Sequence, residues 1–569
     1  MPLDTRPPRH LAHWPRAAPL AIPAAETTLW ENLEISARRY PQRPAFVFFG
    51  REIGFRELFD AVESMAGWLA ARAGVEHGDR VILMTQNSPQ FVIAFYAILR
   101  LGGVVVPVNP MARAAELPHY ITDGDVRVAI ATAEVAGELI EANAGLAPEQ
   151  RLRTIVVARY ADEMPAAIAP EDAPPPAWDA WLNAAMPVDA ICTPWTEALA
   201  AALPPPPYAG RADDLVALAY TSGTTGKPKG CMHSHRTIGH NVMAAPVWNS
   251  LSAADVGLAV VPMFHITGML FAMHVPIYLG STAVLMPRWD RELAGRMISR
   301  YKVTTWTNIP TMVIDLLASP HMAEFDLGSL RVISGGGAAM PKAVAERLFD
   351  AYGLRYSEGY GLTETAAPSH QNPPQNPKRQ CLGIPTIGTD ARIIDPQTLN
   401  ELGPGEQGEI MIRGPQVFLG YWRNPEATEQ AFVTIDGLRF FRSGDLGVTD
   451  EEGYFFITDR LKRMINASGF KVWPAEVENM LYRHPDIQEA CVISARDPYR
   501  GETVKAVVVL RETSRGKIGA ADIEAWAREQ MAAYKVPRLI QFVETLPKSG
   551  SGKVMWRLLQ EQENARPGH

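Results

Sequence analysis

The stretch that most restricts the fold is residues 80–108. Arg80-Val81-Ile82-Leu83-Met84 is a short apolar run, residues 88–100 carry a helical pattern, and residues 104–108 are apolar again. A strand, a helix and a second strand in that order predict a parallel sheet covered by helices. The same texture recurs at 127–131 and 153–158, and strand signals return at 256–261, 304–308 and 330–333. Residues 28–39 and 55–71 read as amphipathic helices behind a lead-in arm over 1–27. From about 383 to 457 the text turns β-rich, with strands expected at 408–413 and 453–457. The last portion reads as a small α+β domain. There Pro474 opens a helix whose Val477, Met480, Leu481 and His484 share a face. Strands at 490–494 and 504–510, a helix at 521–533 and a strand at 539–543 follow. The expected fold class is therefore α/β, with a large N-terminal part of several subdomains, a small β-rich unit and a small α+β C-terminal domain. A chain of 569 residues predicts three or four folding units.

Between about 161 and 210 proline and alanine dominate, as in Ala173-Pro174-Pro175-Pro176. This reads as an irregular connection with one short helix near 178–184. An inserted surface loop is the favoured reading, and a partner surface is the alternative.

Charge and hydropathy narrow the partners. A net charge of −8 gives no footing for nucleic acid. Residues 91–108 and 256–286 are apolar enough to mimic membrane spans. The first is broken by Arg100, Gly102, Gly103 and Pro107, the second by Pro262, His265, Gly268, His274, Pro276 and Gly280. Buried soluble elements are expected, with peripheral membrane contact left open. The N-terminus has no continuous apolar core of the signal-peptide kind. Cys192, Cys231, Cys381 and Cys491 lie far apart, without metal spacing or a disulfide framework, which fits a reducing cytoplasm.

Chemistry is concentrated in a few short stretches. Thr221-Ser222-Gly223-Thr224-Thr225-Gly226-Lys227-Pro228-Lys229-Gly230 packs four hydroxyls, three glycines and two lysines between an expected strand at 215–220 and a helix over 235–245 capped by Ser234. Hydroxyls and open backbone donate to anionic oxygens, glycines admit a close ligand, and lysines supply charge, so this is a phosphate cradle. The spacing differs from the Walker A loop, which needs four residues between its glycines and a hydroxyl residue after lysine. Gly335-Gly336-Gly337 leads into a helix with Pro341 near its first turn. In Glu358-Gly359-Tyr360-Gly361-Leu362-Thr363-Glu364, an aromatic face beside open backbone suits a purine, and Glu364 offers a hard oxygen for Mg2+. In Arg442-Ser443-Gly444-Asp445 the aspartate reads either as an acceptor for two ribose hydroxyls or as an Asx turn. The basic run from Arg460 to Lys471 reads as a linker, and Pro547-Lys548-Ser549-Gly550-Ser551-Gly552-Lys553 as a flexible loop that presents a cation. His265 lies in an apolar, methionine-rich segment with Met263, Met269 and Met273, and Met312 follows. Core packing and the lining of an acyl tunnel are both open for them.

Together these stretches resemble the signatures of the adenylate-forming superfamily, over about residues 28–559. That superfamily comprises acyl-CoA synthetases, aryl-CoA ligases, luciferases and peptide-synthetase adenylation domains. The resemblance implies an N-terminal domain over 1–460 and a mobile C-terminal domain over 461–569, hinged at Lys462. It assigns Thr221, Ser222, Gly223, Thr224, Thr225, Gly226, Lys229, Gly335, Gly336, Gly337, Glu358, Gly359, Tyr360, Gly361, Thr363, Asp445, Arg460 and Lys471 to the nucleotide. Lys553, Glu364 and Thr225 become catalytic, Glu364 and Thr224 hold Mg2+, Ser468 and Gly469 shape the CoA tunnel, and His265, Met269 and Met312 line the acyl pocket. Ser443 stands where the family usually has threonine, Trp556 where it often has arginine, and Met269 where some long-chain ligases have a gating tryptophan. The expected reaction joins a carboxylic acid to coenzyme A through acyl-AMP, with ATP and Mg2+. A medium- or long-chain fatty acid is the favoured substrate, because Glu358 precedes Gly359-Tyr360-Gly361 as in fatty acyl-CoA ligases. The alternatives are an aryl or arylpropenoic acid, a carrier-protein acceptor, and an inactive nucleotide-binding protein. A homodimer is also possible.

Overall fold

The computed structural model describes residues 8–221, 228–337, 339–460, 463, 465–467, 470–472, 474–497, 501–548 and 554–565. The chain divides into two compact units, one of His10–Asp390 with Arg413–Thr434, the other of Met1–Arg9, Ala391–Ile412 and Ile435–His569.

The larger unit contains two sheets. The seven-stranded one runs Cys192–Pro194, Thr154–Ala158, Val128–Thr132, Arg80–Met84, Val104–Pro107, Leu215–Thr221, Lys229–Ser234, parallel except for its last pair. Alternation along Arg80–Met84 explains how it is covered on both faces. Val81 and Leu83 enter one core cluster, Ile82 and Met84 the other. The nine-stranded sheet has the order Ile384–Pro385, Ala367–Gln371, Tyr356–Leu362, Val332–Gly336, Thr305–Asn308, Val256–Ala259, Thr282–Leu285, Pro44–Phe48, Arg51–Gly54. Its six central strands are parallel.

Every residue of the helix Pro89–Arg100 is buried, and its side chains share one cluster with residues of both sheets. That explains an apolar sequence that mimics a membrane span. Its one charge, Arg100, pairs with Glu63 at 2.5 Å and donates to the Pro206 carbonyl at 2.9 Å. Among the described residues no helix is long and apolar enough to cross a membrane.

The Pro/Ala-rich segment is strapped down inside this unit. Cys192–Pro194 extends the seven-stranded sheet. Tyr301 donates to the buried Asp172 at 2.7 Å, and Tyr208 donates to Thr28 at 2.7 Å.

One expectation is corrected. The phosphate cradle does not pass from a strand directly into a helix. Lys229–Ser234 returns as a strand antiparallel to Leu215–Thr221, with Thr221 opposite Lys229. Only then does the helix His235–Asn249 begin, capped by Ser234. The stretch thus joins two antiparallel strands rather than a strand and a helix.

In the smaller unit the long strand Leu438–Thr449 pairs antiparallel with Gly408–Arg413 on one side and Phe455–Arg460 on the other. A separate five-stranded sheet pairs Gly501–Leu510 with Ile487–Asp497 over nearly its whole length. The helix Pro474–Leu481 buries Val477 and Leu481 into that sheet's core, and His484 lies edge-on to Trp526 at 4.9 Å.

Candidate active site

The glycine-rich and tyrosine-rich stretches meet at the C-terminal ends of parallel strands, where open α/β sheets bind ligands. Gly335 lies opposite Glu358 and Gly336 opposite Gly359, so stretches remote in sequence form one shelf. A side chain on this shelf would collide with its neighbours. A Cβ on Gly335 would lie 2.1 Å from Tyr356 Oη and 2.4 Å from the Asn308 carbonyl, and one on Gly336 would lie 2.6 Å from the Gly359 carbonyl. Tyr360 is buried beside His370, with ring centroids 5.6 Å apart.

Glu358 is buried, and its Oε1 accepts the Gln380 N–H at 2.8 Å. Burial pushes its carboxyl up from 4.5 to about 7, against the pull of the Gln380 and Met340 backbone donors. The folded state then holds a proton that the unfolded chain has released. This contribution to stability is full below about pH 4.5 and is lost as pH rises through about 7. Glu358→Gln is therefore expected to match the wild type in melting temperature near pH 4 and to exceed it near pH 8, by about 3 kcal/mol in stability. Parallel melting curves across that range would overturn this account.

Glu364 sits in the single turn Thr363–Thr365, half-buried. Three side chains far away in sequence hold this turn. His233 Nε2 donates to the Thr363 carbonyl at 2.7 Å, and burial lowers its imidazole to about 4, so the ring is neutral. Asn241 Nδ2 reaches the carbonyls of Thr365, Ala366 and Pro368 at 3.2, 2.8 and 3.2 Å. Tyr421 Oη donates to Glu364 Oε1 at 2.8 Å. None of the three was singled out from sequence. His233 and Asn241 follow the cradle on the returning strand and the next helix, and Tyr421 lies in an irregular run. No local period marks any of them as facing Glu364.

Thr221 and Lys229 face one another across the mouth of the hairpin, both half-buried. His119 Nε2 donates to the Pro228 carbonyl there at 2.6 Å. Ser222, Gly223, Thr224, Thr225 and Gly226 lie outside the described residues, as do Lys462, Ser468, Gly469 and Lys553.

In the smaller unit, Asp445 is buried, its N–H donating to Ser443 Oγ at 3.1 Å. Ser443 Oγ in turn donates to the Ile410 carbonyl at 2.5 Å. Arg460 pairs with Asp445 in register, and Lys471 lies on the strand Phe470–Val472.

His265 precedes the short helical turn Ile266–Gly268, which runs into a π-helical turn, Met269–His274. Met269 and Met312 are buried in the main core. A small cavity lies beside this turn, lined by Gly257, Ala259, Phe271, Ala283, Thr305 and Thr307 among others. His265, Met269 and Met312 are not among its lining residues.

The family model described as AMP-binding enzyme matches residues 33–422, and that of the AMP-binding enzyme C-terminal domain matches residues 476–553. The chain belongs to the AMP-binding enzyme family. It is 35% identical to the long-chain-fatty-acid–CoA ligase of Bacillus subtilis, over 97% of this chain and 98% of that one. It is also 35% identical to a feruloyl-CoA synthase of an Amycolatopsis species, over 91% and 96% of the two chains. Among solved structures, ATP-bound MatB from Rhodopseudomonas palustris superposes with a TM-score of 0.79 at 29% identity, covering 95% of this chain and 99% of that one. This AMP-binding enzyme is an AMP-forming acid–thiol ligase of the acyl-CoA synthetase type, with coenzyme A as co-substrate.

Proposed function

We propose that this ligase activates a medium- or long-chain fatty acid. A carboxylate oxygen attacks the α-phosphorus of ATP, the bond to the β-phosphate breaks, and pyrophosphate leaves. The CoA sulfur then attacks the acyl carbon, the bond to AMP breaks, and the thiol proton passes to solvent. In the first step two anions must meet, so charge neutralisation and alignment carry most of the catalysis.

The observation that carries this reading is the convergence of Lys229, Glu364 and Tyr421 at the mouth of the cradle. Lys229 and the cradle hydroxyls hold the phosphates that leave. Gly335, Gly336, Gly337, Gly359, Tyr360 and Gly361 form the shelf for the nucleoside. Glu364, with Thr224, would hold Mg2+. The donor fits, because the half-buried Glu364 carboxylate is a hard oxygen ligand held in a defined turn. One carboxylate plus phosphate oxygens is the environment Mg2+ prefers. Bound there, Mg2+ would screen the phosphates from the incoming carboxylate. By motif match, Asp445 accepts from the ribose, Arg460 and Lys471 reach the nucleotide, and Lys553 neutralises the reacting oxygens. Turning about Lys462 then exchanges Lys553 for the Ser468–Gly469 loop.

The alkyl reading draws on the 35% identity to a long-chain fatty acid ligase over 97% of this chain. A second reading, an arylpropenoic acid, draws on the equal identity to a feruloyl-CoA synthase. A panel of saturated acids and ferulate with ATP, Mg2+ and free CoA decides between them through AMP release. Highest kcat/KM is expected for a fatty acid of medium or long chain, with acyl-CoA as product. Preference for ferulate would overturn the alkyl reading, and acyl-AMP without acyl-CoA would point to a carrier-protein acceptor.

A further inference from the structure

Residues 418–422 form a clamp between the two halves of this site. The Phe418 N–H donates to the Glu364 carbonyl at 2.8 Å, and the Leu419 N–H to the Met232 carbonyl at 3.0 Å. Met232 and Trp422 complete the ladder, donating to the Gly420 carbonyl at 3.0 Å and the Gly230 carbonyl at 2.8 Å. Tyr421 thus bridges Cys231 in antiparallel fashion. Its own N–H is held by Thr428 Oγ1 at 2.9 Å. The segment is in effect an extra strand beside the returning arm of the cradle, anchored at one end to the Glu364 turn.

The Tyr421 side chain uses that anchorage twice. Its hydroxyl donates to Glu364 Oε1 at 2.8 Å, and its ring centroid lies 4.7 Å from Lys229 Nζ. A phenol hydroxyl is protonated at neutral pH and can donate to a carboxylate, as this one does. A donor on one carboxylate oxygen fixes the plane of that carboxylate, as outer hydrogen bonds do for metal ligands generally. An aromatic face under an ammonium restricts where the ammonium sits.

We propose that Tyr421 is a positioning residue that locks the metal-bearing carboxylate and the phosphate-loop lysine into one geometry. Its hydroxyl orients Glu364 towards the cation on the nucleotide, and its ring sets Lys229 against the departing phosphates. This rests on the reading of Glu364 as the Mg2+ ligand, and the test separates the two.

The test uses the full-length protein and three variants: Tyr421→Phe, Tyr421→Leu and Glu364→Gln. Mn2+ binding is measured by electron paramagnetic resonance with an ATP analogue that carries a methylene between its α- and β-phosphates, so nothing turns over. The Mg2+ and ATP dependence of fatty-acid-driven AMP release is measured in parallel. Tyr421→Phe, which keeps the ring, is expected to weaken Mn2+ binding about tenfold. It should raise the Mg2+ needed for half-maximal rate by a similar factor and leave the KM for the fatty acid unchanged. Tyr421→Leu is expected to add a rise of about fivefold in the KM for ATP, through Lys229. Glu364→Gln should weaken Mn2+ at least as much as Tyr421→Phe does. If Tyr421→Phe binds Mn2+ like the wild type while Glu364→Gln does not, Tyr421 has no positioning role and the reading of Glu364 stands. Wild-type Mn2+ binding by Glu364→Gln would remove both. Should Tyr421→Leu fail to fold, the Phe variant alone still decides the role of the hydroxyl.

Discussion

Lys553→Ala is expected to lower fatty-acid-dependent AMP formation by about a hundred- to a thousandfold, while thioester formation from supplied acyl-AMP and CoA continues near the wild-type rate. In the first step a carboxylate approaches a phosphate, and negative charge builds on oxygens that a lysine ammonium can stabilise. In the second step a neutral anhydride carbon is attacked, and the same ammonium has no comparable task. The two half-reactions therefore respond differently to one substitution, which a general loss of stability would not produce. ATP–pyrophosphate exchange at the wild-type level in this variant would overturn the assignment. So would equal loss in both half-reactions, because it would mark the lysine as structural.

Gly361→Ala is expected to cost several kcal/mol in stability and most of the adenylation activity. A Cβ at this position would lie 1.8 Å from the Ala367 carbonyl oxygen and 2.4 Å from its carbon. Those atoms belong to the adjacent antiparallel strand, whose register shifts at this point, with Gly361 opposite Pro368. Backbone cannot move aside as a flexible side chain does, so the strand carrying Tyr360 and the turn carrying Glu364 must part from their partners. About 3 kcal/mol is a typical upper cost for overpacking, and in a unit of this size a fall in melting temperature of about 3 °C is expected. The control is Gly239→Ala, in the helix His235–Asn249, where a new Cβ meets nothing within 4 Å. That change should be neutral or stabilising by up to about 1 kcal/mol, because alanine favours helix. Similar melting temperatures for the two variants would refute the steric account.

Much of the architecture is legible residue by residue. Apolar runs at 80–84, 104–108 and 127–131 mark strands buried on both faces. The expected helices at 28–39 and 55–71 correspond to Leu29–Arg39 and Phe55–Ala71. The small C-terminal elements are legible for the same reason, with Pro474 opening the helix Pro474–Leu481 and Gly501–Leu510 pairing along Ile487–Asp497. The cradle shows where such reading runs out. Lys229–Ser234 is short and mixes lysine, glycine, cysteine and histidine, so nothing in it alternates clearly. It becomes a strand because Leu215–Thr221 offers it an unpaired edge.

Local pattern alone therefore decides that this chain folds as helix-covered parallel sheets, and contiguous stretches of glycine, hydroxyl and lysine decide that it handles a nucleotide. Both kinds of information lie within a few residues, where backbone preference and side-chain chemistry act directly. Tertiary structure alone decides that Gly335 lies beside Glu358, and that His233, Asn241 and Tyr421 converge on the turn that holds Glu364. Such contacts join segments whose separation along the chain follows no period. They exist only because packing the sheets brings the ends of their strands together.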